Sequence, residues 1–422
     1  MTWKVVVVMA GLLMTKGLTV GGELSGRGLN QDNDAITTLI GRLDLERYKT
    51  TIKGLTQFGD RRQGTKRNRD AVDWIEAKLK AVGCATTERI VYIYDPEPRI
   101  AARNSGRVRD RPSQPLNRPG GTLTGGRIGR NGSGPGGSSI FGYRRRTGVV
   151  RDPMAQSDEL LRSLNSEEPI NGERSEIYCT KVGMTRPDEM YIIGAHMDGH
   201  GFGEAANDDG SGTAIVIELA RIFSAPDVEI DRSIRFALWN NEETGLNGSR
   251  AYVSQRRERQ GLEVPLGSGR YPEPTWLGMI QHDMMLFDHG APGSDGTVSR
   301  SQRREADINI EFQSDSDMAG ESRELAFFFK AANDMYATDY PATVGPHMTN
   351  TDSTPFMNWV PSISLRENER GMQIGAGWNP HWHQPTDLYR TYTDDDFRLG
   401  LNAAQTTLAA VAQLTGLTVV DR

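Results

Sequence analysis

Short apolar runs alternate along the chain with stretches that are apolar at every third or fourth position. The runs are rich in β-branched residues and predict buried strands, whereas the periodic stretches predict amphipathic helices. The predicted strands are residues 88–94, 176–181, 191–195, 233–239, 276–281, 308–313 and 362–365. The predicted helices are residues 31–41, 45–58, 71–82, 211–223, 246–258, 322–336 and 395–414. Strands and helices alternate from residue 191 onward, which predicts an α/β fold.

One long segment departs from this pattern. Residues 96–151 are rich in Gly, Pro, Arg and Ser, and residues 99–151 carry twelve arginines against a single acid, Asp110. Such a segment cannot bury enough apolar surface to offset the entropy of ordering it. We therefore predict a disordered or loosely docked insertion there, which separates residues 31–95 from residues 152–422 of the folded domain.

The first residues differ again. Lys4 precedes an apolar run from Val5 to Met14, and this run has the length of a signal-peptide core. Residues 1–25 are accordingly predicted to be a signal peptide or leader, and the protein to be secreted or periplasmic. A buried N-terminal strand is the alternative.

Composition narrows the choice of partners. The net charge of −6 over 422 residues gives no reason to expect binding to nucleic acid. No later stretch approaches the roughly 18 continuous apolar residues that a membrane span requires, so we expect no stable membrane insertion. The two cysteines, Cys84 and Cys179, fit neither a thiolate zinc site nor a disulfide scaffold. The strand at 176–181 is predicted to return antiparallel to the strand at 88–94, which would bring Cys179 near Cys84. One disulfide and two separate thiols both remain open, as does the oligomeric state.

Candidate chemistry begins in residues 190–212, MYIIGAHMDGHGFGEAANDDGSG. His196 and Asp198 follow a predicted buried strand, and Asp208 precedes a predicted helix. Imidazoles and carboxylates at the carboxyl end of a parallel strand are the side chains that a metal site in an open α/β sheet needs. His200, in the intervening loop, is either an additional ligand or a loop residue outside the site.

Later strands end in residues of the same kinds. Glu242 and Glu243 follow the strand at 233–239, and Asp283 follows the strand at 276–281. Adjacent carboxylates can have two different roles, since one can bind a metal while the other accepts a proton from water. The loop NPHWHQPTD, residues 379–387, supplies two further imidazoles, and its sequence alone does not say which of them binds.

The motifs HxD, NDD-GSG, EETGLNGS, HDM and a late H…D occur in this order along the chain. In that order they resemble the zinc exopeptidases with a co-catalytic two-metal site. This group includes secreted bacterial aminopeptidases, and its relatives include glutaminyl cyclases and the transferrin-receptor ectodomain. The resemblance extends from about residue 45 to the last helix, excluding the insertion. It implies a single three-layer α/β/α domain with a mixed, mostly parallel central sheet, and two Zn²⁺ ions per chain.

The resemblance also assigns roles to individual residues. The implied metal ligands are His196, Asp208, Glu243, Asp283 and His383. Asp208 would bridge the two ions, Asp198 would orient His196, and Glu242 would be the general base. The late imidazole would be His383 rather than His381. A cis peptide bond is implied between Asp208 and Asp209.

The resulting hypothesis is a metallo-aminopeptidase that acts on the N-termini of peptides or proteins. A carboxypeptidase is one alternative, and it would need a basic residue such as Arg366 or Arg370 for the substrate carboxylate. A glutaminyl cyclase is another, although the complete set of ligand pairs exceeds what a single zinc ion requires. A non-catalytic binding protein of the same fold is the third. Fold alone does not choose among them.

Overall fold

The computed structural model describes residues 29–84, 86–96, 149–287, 308–346, 351–367, 379 and 381–420. The predicted leader and all but the ends of the predicted insertion lie outside these residues, as does Arg370. Among the residues that are described, no helix is long and apolar enough to cross a membrane.

The described elements follow the predicted order. The helices are α1 (Leu29–Ile40), α2 (Leu45–Leu55), α3 (Lys66–Ala81), α4 (Glu159–Asn165), α5 (Gly210–Phe223), α6 (Asn247–Arg256), α7 (Ala319–Tyr336) and α8 (Asp394–Thr415). The strands are β1 (Thr87–Tyr94), β2 (Gly172–Lys181), β3 (Arg186–His196), β4 (Val228–Glu229), β5 (Arg232–Trp239), β6 (Thr275–His282), β7 (Ile308–Phe312), β8 (Ala342–Gly345), β9 (Ser362–Glu367) and β10 (Thr418–Val419).

Eight of the described strands form one mixed sheet in the spatial order β1-β2-β5-β3-β6-β9-β7-β8. The central strand β3 pairs in parallel with β5 and β6, and β6 pairs in parallel with β9. Antiparallel pairs lie toward the edges, between β1 and β2, β2 and β5, and β7 and β9. This confirms the predicted mixed, mostly parallel central sheet.

Both faces of the sheet are covered. Successive side chains of a strand point to opposite faces, so the apolar run of β3 supplies two cores. Ile193 belongs to the larger core, which includes buried residues of α2, α5 and α8. Ile192 belongs to the second core, where Tyr252 of α6 packs with Trp239, Trp276 and Phe356. The domain is therefore the predicted three-layer α/β/α arrangement.

The elements that the pattern did not predict are short. They are α4, β8 and the two-residue strands β4 and β10, which pair with each other outside the main sheet. Strands of two to four residues do not contain enough alternation to be recognised. The ends of the long elements, by contrast, lie within a few residues of the predicted ends.

The pairing of the edge strands β1 and β2 brings the two cysteines, Cys84 and Cys179, close enough to form a disulfide. The two strands pair antiparallel, as predicted, with Thr87 opposite Cys179. This register brings Cys179 to Cys84, which precedes β1, and the two form a disulfide with their Cα atoms 6.0 Å apart. The bond closes a loop between residues 95 positions apart that contains the whole predicted insertion.

Removing this disulfide should destabilise the protein considerably. Because a cross-link restricts the unfolded chain more when its loop is long, we expect the double variant Cys84→Ala/Cys179→Ala to lose about 2–5 kcal/mol of unfolding free energy. Urea unfolding of the two proteins measures the difference. A reductant should bring the wild type toward the variant and leave the variant unchanged; equal midpoints without reductant would contradict the prediction.

Candidate metal centre

The site lies where three neighbouring parallel strands end. His196 is the last residue of β3, Glu242 and Glu243 follow β5, and Asp283 follows β6. Because β3 lies between β5 and β6, the carboxyl ends of the three strands meet at one edge of the sheet. Asp208, just before α5, completes the group from the adjoining loop.

The first cluster forms around His196. Its Nε2 atom lies 3.2 Å from Asp208 Oδ1 and 3.7 Å from Asp283 Oδ1. Its Nδ1 atom lies 2.8 Å from the backbone carbonyl oxygen of Asp198. If Nδ1 carries the proton and donates to this carbonyl, the lone pair of Nε2 faces the two carboxylates. This arrangement is common in metal-bound histidines.

The support that Asp198 gives differs from the predicted one. The resemblance implied that its carboxylate orients His196, but that carboxylate is 4.0 Å from Nδ1, and the backbone carbonyl makes the contact instead. Asp198 Oδ1 accepts a hydrogen bond of 2.9 Å from the backbone N–H of Glu242. The carboxylate of Asp198 therefore holds the backbone of the turn that carries Glu242 and Glu243.

The second cluster forms around His383. Its Nε2 atom lies 3.0 Å from Asp208 Oδ2 and 2.9 Å from Glu243 Oε2. His200 joins this cluster, with Nε2 3.0 Å from the same Glu243 oxygen. The sequence left His200 undecided because its spacing fits no ligand pattern, and only the folded loop brings it to Glu243. The two oxygens of Asp208 thus face different clusters, which is the geometry that a bridging carboxylate needs.

Neighbouring residues hold Asp208 in place. The Asp208–Asp209 peptide bond is cis, as the resemblance implied. Asp209 caps α5, and its carboxylate accepts backbone N–H groups from Gly212 at 2.9 Å and from His196 at 3.1 Å. Asp387 accepts the backbone N–H groups of Asn207 at 2.9 Å and of Asp208 at 3.1 Å. Of these supports, only the cis bond was expected from the sequence.

Two other histidines near the motifs have different partners. His381 Nδ1 lies 2.9 Å from Thr386 Oγ1, within its own loop. His282 is buried with Nε2 2.8 Å from Thr407 Oγ1 of α8. Burial lowers the pKa of His282 to about 4, so that this imidazole is neutral at pH 7. Neither residue is in the two described clusters that could hold an ion.

The charge of the site favours a bound cation. Carboxylates of Asp198, Asp208, Glu242, Glu243 and Asp283 are buried together. Burial raises the pKa of Asp198 to about 6 and also raises that of Glu242. Burial opposes protonation of the late imidazole, yet Glu243 and Asp208 raise the pKa of His383 to about 9. Divalent ions replace such protons when they bind.

The donor set also fits zinc. Each cluster offers ligand atoms within 4.8 Å of one another, namely imidazole nitrogens and carboxylate oxygens without any thiolate. Glu243 Oε1 is buried and has no hydrogen-bond partner among the described residues. Three imidazole and carboxylate donors in each cluster suit Zn²⁺ or a neighbouring divalent ion, and Glu243 Oε1 is a further oxygen that could bind it.

Comparison with known families agrees with this geometry. Residues 177–406, more than half of the chain, match the model of peptidase family M28. The chain belongs to this family. The matched M28 region contains the whole set of residues in the two clusters, from His196 to His383.

Individual relatives match shorter stretches of this chain. Aminopeptidase YwaD of Bacillus subtilis is 42% identical over 74 residues, which cover 18% of this chain and 16% of that protein. The aligned segment is therefore a small part of that relative, and the activity of the whole protein remains to be proposed.

Solved structures share the M28 fold over nearly the whole chain. BSAP, a zinc aminopeptidase from Bacillus subtilis, has a TM-score of 0.56 at 16% identity, covering 88% of this chain and 96% of that one. A glutaminyl cyclase from Porphyromonas gingivalis has a TM-score of 0.50 at 16% identity, covering 88% of this chain and 99% of that one. At this identity, these likenesses show the fold alone.

Proposed function

We propose that this M28 protein is a metallo-aminopeptidase that holds two Zn²⁺ ions. The observation that carries the proposal is the position of Asp208, whose two oxygens face His196 and His383 at 3.2 and 3.0 Å. One ion would be held by His196, Asp208 and Asp283, and the other by Asp208, Glu243 and His383.

The protein's own side chains would then prepare the reaction. When bound, the ions supply Lewis acidity to the scissile carbonyl and to the attacking water. Glu242 accepts a proton from that water while the water oxygen forms a bond to the carbonyl carbon. When the C–N bond breaks, Glu242 donates this proton to the leaving amine. Asp198 keeps Glu242 beside the clusters through the hydrogen bond to its backbone N–H.

The proposed metal site suits a substrate with a free N-terminus. Two bound ions would offset the charge of the buried carboxylates, and the neutral α-amine of a peptide could then bind one ion as a nitrogen ligand. A carboxypeptidase would need a free basic residue, but Arg366 is buried with Nη2 3.4 Å from Asp283 Oδ1. Arg366 therefore neutralises a proposed ligand and is not available to the substrate.

The disulfide supports an extracytoplasmic location. Bonds of this kind persist in oxidising compartments, such as the periplasm or the medium, and are rare in the cytosol. The Cys84–Cys179 bond therefore supports the secreted or periplasmic location that the predicted leader suggests.

Metal content and hydrolysis test the proposal together. We expect two zinc ions per chain and cleavage of aminoacyl chromogenic substrates, lost on chelation and restored by added Zn²⁺. N-acetylated substrates should resist cleavage because they lack the α-amine, and an N-terminal glutaminyl peptide should be hydrolysed rather than cyclised. A folded protein with at most one tightly bound ion and no activity on free-amine substrates would overturn the proposal.

A further inference from the structure

His200 occupies a position that the five proposed ligands leave unexplained. Its Nε2 atom lies 3.0 Å from Glu243 Oε2, is buried, and has no well-formed hydrogen bond to any described residue. Its ring meets the ring of His383 edge-on, with the centroids 4.0 Å apart. Three donor atoms, from His200, Glu243 and His383, therefore lie within 4.8 Å of one another, close enough to hold one ion.

The loop that carries His200 is held firmly. Gly201 has φ +102°, and a β-carbon there would lie 2.4 Å from the backbone carbonyl carbon of His383. A β-carbon on Gly203 would lie 2.7 Å from the carbonyl oxygen of Gln384. Only glycine allows the loop to lie this closely on the late histidine loop. The loop that carries His200 therefore packs directly against the loop that carries His383.

Side chains from another segment fasten the same loop. Asn165 donates a hydrogen bond of 2.7 Å to the carbonyl of Gly203, and Gln156 donates one of 2.8 Å to the carbonyl of Phe202. On the far side, the ring of Trp382 stacks on His383 with centroids 3.6 Å apart. The two imidazoles are thus fixed relative to each other, as the ligands of one ion have to be.

We propose that His200 is a fourth protein ligand of the ion held by Asp208, Glu243 and His383. The proposal rests on the two-metal function described above. Four protein ligands close the coordination of that ion, whereas the ion of His196, Asp208 and Asp283 keeps a position open for water or substrate. The two ions would therefore be unequal, one retained tightly and one exchangeable.

His200→Ala tests the assignment through metal retention. Zinc-loaded proteins are dialysed against rising concentrations of a chelator, and the bound zinc is counted. We expect the wild type to release its ions in two separate steps. The variant should lose the tighter ion with an affinity lower by about 100-fold or more, beyond the roughly 10–100-fold effect of outer partners.

Two further variants separate coordination from simple packing. His200→Phe keeps a ring against His383 but has no donor atom, so it should lose zinc as easily as His200→Ala; if His200 only packed within the site, this variant would retain zinc like the wild type. His381→Ala removes a histidine of the neighbouring loop and should release zinc like the wild type. Circular dichroism of the metal-free proteins checks that each variant folds.

A spectroscopic measurement completes the test. In the cobalt-substituted protein, loss of a nitrogen ligand should change the visible absorption of one ion in His200→Ala and not in His381→Ala. The contrary result is that His200→Ala binds two ions, releases zinc to the chelator as the wild type does, and keeps the visible spectrum of the cobalt form. That result would overturn the assignment of His200 as a ligand and would leave the two-metal function in place. A wild type that binds at most one ion would overturn both.

Discussion

Glu242→Gln should lower kcat by about 10²–10⁴-fold, the usual contribution of a general base, while both ions stay bound. Glutamine has the shape of glutamate but cannot accept the proton of the attacking water. The backbone of residue 242 should not move, since its N–H donates to Asp198 Oδ1 whatever side chain it carries. KM should change little because substrate binding does not depend on this proton transfer.

The neighbouring variant Glu243→Gln provides the control for this experiment. Glu243 is adjacent to Glu242 and has the same side chain, but only Glu243 lies 2.9 Å from His383 Nε2. Its variant should therefore lose zinc from one cluster, and added Zn²⁺ should restore part of the activity. Zinc content and steady-state kinetics of both variants give the comparison. Unchanged turnover in Glu242→Gln would remove this residue from the mechanism.

Much of this architecture could be predicted from local sequence. The run YIIGA of β3 and the ligand-type residues directly after it indicate a parallel strand with chemistry at its carboxyl end. Glu243 and Asp283 lie at the same edge of the sheet as His196, because they follow β5 and β6, the strands on either side of β3. The antiparallel pairing of β1 and β2 was predicted as well, but the sequence did not decide between a disulfide of Cys84 and Cys179 and two separate thiols.

What the sequence did not contain is the set of contacts between distant loops. Glu367 illustrates this: it is fully buried, and its carboxylate accepts hydrogen bonds from Asn207 at 2.8 Å and from Asn379 at 2.8 Å. It thereby joins the bridging loop to the late histidine loop, although nothing at its own position in the chain indicates a role. His200 was undecided for the same reason, as its partners are 43 and 183 positions away along the chain.

Arg61 makes several contacts of this kind between distant parts of the chain. Its side chain is completely buried and donates hydrogen bonds to three carbonyls at the ends of the loop that carries His200. The acceptors are Met197 at 2.8 Å, Glu204 at 2.8 Å and Ala205 at 2.7 Å. The sequence GDRRQGT could not say which of its two arginines is buried. The guanidinium of Arg61 thus joins the two ends of the loop that carries His200.

Arg61→Lys should therefore destabilise the protein by about 3 kcal/mol or more, although the charge is kept. A single ammonium on a flexible stem cannot reach three carbonyls that the planar guanidinium contacts at once. The carbonyl of Ala205 would keep the N–H of Gly210, but at least two of the carbonyls of Gly59, Met197 and Glu204 would lose the hydrogen bond from residue 61, at about 1–3 kcal/mol each. The loop should loosen as a result, and zinc should leave the site at lower chelator concentrations. Urea unfolding and the chelator titration measure the two effects.

Arg67→Lys is the matched control, because Arg67 is also buried but uses its charge differently. Its Nη1 atom lies 2.6 Å from Asp60 Oδ1 and donates a hydrogen bond of 3.1 Å to the carbonyl of Phe58, and its Nε atom lies 3.8 Å from Glu167 Oε2. A lysine has donors for both contacts of Nη1 and loses only the longer ion pair, so the control should lose less stability and retain zinc as the wild type does. If Arg61→Lys instead matched the wild type in both measurements, the loop would be held by its glycine contacts with residues 383–387, and the buried guanidinium would be dispensable.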